Sequence, residues 1–376
     1  MADQVIDLIK AVEEKSKNVH TSSLDLSFNE ILDMKNMDEL NISPDFQRLF
    51  RWSEGSRSRF IESLLLEMPV PPIYVVEEDE GKYLLIDGLQ RISSYLHFRG
   101  KLDAPHLETP VKTGDKLTLT DCDIVKELNG KTFDDLGTAL QIRLKRAFVR
   151  VEVVRKGSDS HFKYHMFKRL NTGGEILSQQ QVRNCTIRLL NPAFIDFINE
   201  LSKNPDFETC TLHLTDEQHL AAFDKELILR FFALKNNRPA FKHDIADFLT
   251  EFMEAVSDPN INVEFNYEEE KKIFEKTFKV LTHSLKEKAF GPANKLRNKI
   301  TAAFGVLQFE SITLGIQSVL GSIDLENKDQ LDKISTALET LKLTQEFISL
   351  TTGGGKNSSG QLKSRIEAVE KALQGI

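Results

Sequence analysis

Lys82-Tyr83-Leu84-Leu85-Ile86-Asp87-Gly88-Leu89-Gln90-Arg91-Ile92-Ser93-Ser94 is the stretch on which the fold of this 376-residue chain turns. An apolar run stops at Asp87-Gly88 and resumes with helical spacing, the rhythm of a strand, a tight turn and a helix. Such a junction aims the free N–H groups of the first helical turn at the space above the strand end. Arg91, one turn in, adds a guanidinium, and phosphate is the natural guest. The plainer alternative is an ordinary strand-to-helix turn, with Asp87 capping the helix and Arg91 on the surface.

Working outward, Phe60, Ile61, Leu64, Leu65 and Met68 recur at spacings of three and four behind a Ser53 cap, which predicts an amphipathic helix ended by Pro69. Val70-Pro71-Pro72 forces an extended entry into a strand over 73–77. Asp79-Glu80-Gly81 then turns the chain into the strand that ends at Ile86, giving a hairpin. Residues 100–135 mix Gly, Pro, Asp and Thr with short apolar runs and predict no definite element, whereas 146–154 alternates as a strand. From about residue 160 the pattern is almost continuously helical, with helices expected near 178–203, 216–236, 241–256, 267–288, 292–321, 327–350 and 361–374. Leu220, Phe223, Leu227, Phe231 and Leu234 form one stripe of the clearest of these. The expected organisation is α+β: a lead-in over 1–24, a mixed domain over 25–190 and an all-helical domain over 191–350. A Gly/Ser linker over 351–360 then leaves a loosely attached helix at 361–376.

The composition, 40% hydrophobic and 28% charged, is that of an ordinary soluble globular protein. No apolar run reaches the roughly 20 residues of a bilayer span, and the first residues do not resemble a secretory leader, so a cytoplasmic protein with no membrane partner is expected. Cys122, Cys185 and Cys210 are scattered, which suggests neither a disulfide framework nor a Cys-x-x-Cys metal site. A formal net charge of -8 excludes a globally basic nucleic-acid binder, so any DNA contact has to come from a local patch.

Two further segments carry chemistry. Phe46-Gln47-Arg48-Leu49-Phe50-Arg51-Trp52 interleaves arginines with aromatics, a pattern suited to gripping phosphates and stacking on bases, and equally readable as core aromatics with arginines in water. Arg169-Leu170-Asn171-Thr172-Gly173-Gly174 places a paired-glycine turn before a Ser178 cap and the pair Arg183-Asn184. Two adjacent glycines permit a close approach of N–H groups to an anion, and serve as commonly to stop a helix. His161 and His165 stand at helical i, i+4 spacing without a nearby glutamate base, so no metal ligands are assigned. Phosphate-binding P-loop, dinucleotide Gly-x-Gly-x-x-Gly and Gly-x-Ser-x-Gly motifs do not occur.

In order along the chain, Phe46-Gln47-Arg48 with Trp52, the Pro71-Pro72-Ile73 strand entry, Ile86-Asp87-Gly88-Leu89-Gln90-Arg91, and Arg169 to Gly174 with Leu177-Ser178 and Arg183-Asn184 resemble the N-terminal domain family of GmrSD-type modification-dependent restriction endonucleases. The resemblance covers about residues 25–190 and implies a fold similar to the ParB/sulfiredoxin fold. It implies nucleotide binding and hydrolysis within defence against foreign DNA or phage. Asp87 and Arg91 become the expected catalytic pair. Gln47, Arg48, Gly88, Gln90, Asn171, Thr172, Gly173, Gly174, Arg183 and Asn184 become the nucleotide and phosphate contacts. Arg51, Trp52, Arg143, Lys145, Arg146 and Arg150 are the DNA-facing candidates, the last four forming the most basic stretch outside the aromatic loop. The implied ligands are an NTP of unspecified base and Mg2+; the implied partners are DNA, a separate nuclease or defence-system protein, and further copies of the chain. Leu89 replaces the first glutamine of the family's Asp-Gly-Gln-Gln-Arg, and Gln181 stands where a glutamate is common. No His-Asn-His nuclease cluster is recognisable after residue 190. An NTP hydrolase is the leading expectation. The alternatives are a DNA-binding module gripped by the helical half, an interaction scaffold without turnover, or a DNA nickase.

Overall fold

Among the described residues strands are confined to the first half of the chain, and the second half is built from helices. In a computed structural model, the residues described are 8–10, 12–13, 19–42, 50–78, 81–107, 109–158, 162–163, 166, 169–170, 178–188, 190–242, 244–261, 263–353 and 358–376. The chain divides after Leu177 into two units, each with its own core.

The first unit begins with β1 (Thr21–Ser27) and α1 (Phe28–Asn36), where Ser27 Oγ accepts from the Glu30 N–H at 3.1 Å. There follow β2 (Leu40–Asn41), α2 (Glu54–Leu65), β3 (Ile73–Glu77), β4 (Tyr83–Asp87), α3 (Leu89–Phe98), α4 (Gly137–Arg146) and β5 (Phe148–Val154). The sheet order is β1-β5-β3-β4-β2. β1/β5 and β3/β4 are antiparallel, and β3/β5 and β2/β4 are parallel. The two hairpin strands fall within a residue of expectation, because proline and glycine punctuate their ends, while α2 stops at Leu65, three residues short of Met68. β1, α1, β2 and α4 were not foreseen. Only Leu24 and Leu26 are apolar in β1, since it lies at a sheet edge with Thr21, Ser23 and Asp25 facing outward.

One sheet face is the core. Leu24, Leu26, Ile73, Val75, Val151 and Val153 converge there on Ile31 of α1 and Ile92 of α3. Burying each such aliphatic side chain is worth about 1.5–3 kcal/mol, so the period-two alternation of β5 fixes which face takes the helices. The opposite face carries polar cross-strand pairs: Ser23 Oγ donates to Glu152 Oε2 at 2.6 Å, and Arg150 pairs with Asp25 at 3.2 Å. The 100–135 region is held by α2. Buried Glu62 accepts the N–H groups of Asp123, Ile124 and Val125, the last at 2.6 Å, and Ser58 Oγ accepts from the Thr120 N–H.

The second unit contains α5 (Gln179–Ile187), α6 (Pro192–Leu201), α7 (Pro205–Cys210), α8 (Asp216–Leu220), α9 (Phe223–Asn237), α10 (Ile245–Ser257), α11 (Tyr267–Leu285), α12 (Val306–Gly315), α13 (Gln317–Leu320), α14 (Lys328–Leu343), α15 (Gln345–Thr351) and α16 (Ser359–Leu373). Several expected long helices are therefore broken. Pro192 starts a new helix behind the Asn191 cap, Ala222 takes a left-handed conformation at φ 57°, and Thr344 is extended between α14 and α15. Residues 292–305, expected as helix, form instead a loop closed by the bridge Ala293–Ile300. α5, placed with the mixed domain by its sequence, packs with α6, α9 and α10 of the helical unit. The last helix is not loosely attached. Leu362, Ile366, Val369 and Leu373 are buried, Val369 closes on Gly315, and Arg365 meets Glu310; linker residues 354–357 lie outside the described residues.

Candidate functional site

Gly88 takes a φ of +108°, the region that favours glycine, and an added Cβ would stand 2.7 Å from Ile73 Cγ1. This lets β4 turn directly into α3, whose N-cap, Gly88, has no side chain with which to cap the first turn. Asp87 does not cap the helix. Its Oδ2 accepts instead from Arg91 Nη2 at 2.9 Å, while the same Nη2 donates to the Pro72 carbonyl at 3.1 Å. Asp87 keeps 35% of its side-chain surface and Arg91 13%, so the pair forms the rim of the turn rather than part of the core. Arg91 Nε is buried without a hydrogen-bond partner among the described residues.

Gln90, expected to touch phosphate, has its carboxamide oxygen engaged by the main chain. Its Oε1 accepts the backbone N–H groups of both Arg51 and Trp52 at 3.1 Å, tying the aromatic segment beside the first turn of α3. Arg57 completes the tie. Its Nε donates to the Trp52 carbonyl at 2.7 Å, its guanidinium lies 4.7 Å from the centre of the buried Phe50 ring, and its Nη1 meets His97 Nδ1 at 3.1 Å. A guanidinium only donates, so His97 Nδ1 accepts. Burial, reinforced by Arg57, pulls His97 down to about 4, and the imidazole is neutral at pH 7. His106 Nε2 lies 3.3 Å from the Phe50 carbonyl. Sequence reasoning missed these roles of Arg57, His97 and His106, because their partners are main-chain atoms or residues 40 to 56 positions away.

Gln47, Arg48, Asn171, Thr172, Gly173 and Gly174 lie outside the described residues, as do His161 and His165. The phosphate-contact expectation for Arg183 and Asn184 meets a different placement. Both are 3% exposed inside the helical unit. Arg183 reaches Glu226 at 3.0 Å and Gln180 at 2.9 Å, and Asn184 accepts from Gln180 at 2.7 Å. The network continues through Arg230, which pairs with Glu226 at 2.8 Å and Glu310 at 2.7 Å, to Arg365. A buried, hydrogen-bonded ion network of this kind fixes helix packing, and removing one partner typically costs about 3–5 kcal/mol.

The DNA-facing candidates are spread over the first unit. Arg51 and Trp52 are half-buried beside α3, with the Trp52 ring edge-on to Phe60 at 5.9 Å. Arg143, Lys145 and Arg146 close α4, where cations complement the carbonyl end of the helix. Arg143 is paired with Glu67, Lys145 stands 5.9 Å from the centre of the Phe133 ring, and Arg150 is paired with Asp25. They do not belong to the helical half.

A family model described as GmrSD restriction endonuclease, N-terminal domain, matches residues 28–188. This stretch is similar to the GmrSD-type N-terminal domain. No curated protein and no solved structure matches the chain. The match ties the GmrSD-like domain to restriction and DNA processing, and its mixed sheet followed by helices agrees with the α+β expectation. Both departures from the family pattern have a local physical account. Leu89 is 4% exposed and adds to the core beneath the turn. Gln181 completes a capping box with Ser178, and its Nε2 donates to the Leu220 carbonyl at 2.5 Å, a bond that a carboxylate could not make. Among the described residues no helix is long and apolar enough to cross a membrane.

Proposed function

We propose that the GmrSD-like domain binds a nucleoside triphosphate over the first turn of α3 and hydrolyses it in the service of DNA restriction. The observation behind this reading is the glycine helix start at Gly88, with the Asp87–Arg91 pair on its rim and the Arg51-Trp52 segment tied alongside. The N–H groups of the first turn meet phosphate oxygens, and Arg91 turns its remaining donors to them. Arg48 and the segment from Asn171 to Gly174, which lie outside the described residues, are the further phosphate contacts of this proposal. Gln90 acts as a positioning residue. Asp87 orients Arg91 and, on hydrolysis, the attacking water. Magnesium fits as a companion of the triphosphate: Asp87 offers one carboxylate, and Mg2+ is commonly held by one or two carboxylates with phosphates and water. No cluster of three or more His, Cys, Asp or Glu stands ready for a metal among the described residues.

Calorimetry with ATP, GTP, CTP and UTP in magnesium tests the binding. One of them binds the wild type, and Arg91→Ala weakens it at least tenfold, since a charge-assisted contact is worth about 1.5–3 kcal/mol. Absence of binding for all four, or an unchanged Kd in Arg91→Ala, refutes the assignment. Burial of hydrocarbon at Leu89, in place of a family glutamine, favours a second reading in which the nucleotide is bound without turnover. Phosphate release separates the two.

A further inference from the structure

The loop joining α11 to α12 is built to hold positive charge in solvent. Between residues 286 and 299 stand Lys286, Lys288, Lys295, Arg297 and Lys299 against the single acid Glu287, in a chain whose net charge is -8. All five cations are exposed, and none has an acidic ion-pair partner among the described residues. The contrast with the paired Arg143 and Arg150 is direct.

The loop is a constructed hairpin rather than a slack connection. The Thr301 N–H donates to the Pro292 carbonyl and the Asn294 N–H to the Lys299 carbonyl, both at 2.9 Å, around the bridge Ala293–Ile300. The Asn294 side chain organises the tip: its Oδ1 accepts from the Asn298 and Lys299 N–H groups, and its Nδ2 donates to Asn298 Oδ1 at 2.8 Å. Gly291 closes the neck, where a Cβ would meet the Thr301 carbonyl oxygen at 1.7 Å. Arg297 sits at φ +55°, a conformation that glycine or asparagine adopts at less cost, so a guanidinium is kept at a strained position. Beside it Leu296 is 80% exposed, the most exposed large hydrophobic side chain of the described residues.

We infer that this hairpin is a DNA contact, in which Lys295, Arg297 and Lys299 neutralise backbone phosphates and Leu296 enters the groove between them. Cations at the tip of a narrow arm supply sequence-independent affinity, and an apolar residue among them matches the wedge of minor-groove binders. An anionic membrane is a poorer match, because one leucine buries too little apolar surface to hold a bilayer. The inference goes beyond the nucleotide reading and does not depend on it, since the hairpin belongs to the helical unit.

The test uses the full chain, a labelled 30-base-pair duplex of random sequence, and anisotropy titrations between about 50 and 200 mM salt. Wild type binds with an affinity that falls steeply with salt. The triple variant Lys295→Gln, Arg297→Gln, Lys299→Gln loses about 2 to 3 from the slope of log K against log salt, at about 0.9 per phosphate contact. Its affinity drops at least tenfold, with unchanged unfolding and unchanged nucleotide binding. Arg297→Gly guards against a folding artefact: it relieves the left-handed strain, so stability is equal or higher while DNA affinity still falls severalfold. No DNA binding by the wild type, an unchanged slope in the triple variant, or loss of binding to phosphatidylserine vesicles with DNA affinity intact each overturns the inference.

Discussion

Replacing Gln90 by alanine removes the carboxamide oxygen that accepts the N–H groups of Arg51 and Trp52, and so loosens the aromatic segment from α3. A neutral intramolecular hydrogen bond nets about 0.5–1.5 kcal/mol, so the pair holds the segment by about 1–3 kcal/mol. Converted to an opening equilibrium, its loss raises exposure of those two amides by about 5- to 150-fold. Hydrogen exchange at Arg51 and Trp52 reads this directly. Fluorescence of Trp52, the single tryptophan of the chain, reports the same loosening. Gln90→Glu separates positioning from ligand contact: the carboxylate still accepts both N–H groups, so exchange protection stays near wild type, while its negative charge lowers affinity for a triphosphate. Wild-type protection of both amides in Gln90→Ala would refute the positioning role.

Gly88→Ala introduces a positive-φ alanine, at about 1–2 kcal/mol, and drives a methyl to 2.7 Å from Ile73 Cγ1. Denaturant unfolding followed by Trp52 should shift to a lower midpoint, and an unchanged midpoint would mean that the turn does not need glycine. Lys342 is fully buried, donates to the Ala289 carbonyl at 2.6 Å, and is pushed by burial down to about 7, against an unfolded value of about 10.4. Between those two pH values the unfolded chain holds a proton that the folded one has released, so this group makes stability rise with pH across the window, by up to about 1.4 kcal/mol per unit. Below pH 7 both states are protonated and its contribution is flat. Unfolding of wild type and Lys342→Met compared from pH 6 to 10 should show the rise only in the wild type, and parallel curves would exclude it.

Punctuation made the stretch from α2 to α3 legible. Ser53, Pro69, Pro71-Pro72 and Asp87-Gly88 restrict backbone conformation by themselves, so α2, β3, β4 and the turn into α3 follow from local chemistry. The same holds for Gly88, whose positive φ and close contact with Ile73 explain why a glycine stands there. The helical half was legible in class but not in detail. Its apolar stripes announce helices, yet the breaks at Asn191, Ala222 and Thr344 depend on packing that periodicity does not encode, and the hairpin at 292–305 has too few hydrophobic residues to show a period of its own.

Which polar residues are spent on structure was decided by tertiary contacts alone. In sequence, Gln90, Arg91, Arg183 and Asn184 look alike, as donors next to turns. In the folded chain Gln90 is given to the main chain of Arg51 and Trp52, and Arg183 to a buried ion network with Glu226. Arg91 remains at the rim with Asp87. A side chain's charge and hydrogen-bonding capacity are written in its residue type, but its partners come from segments tens of residues away. A buried donor must satisfy itself with whatever those segments bring.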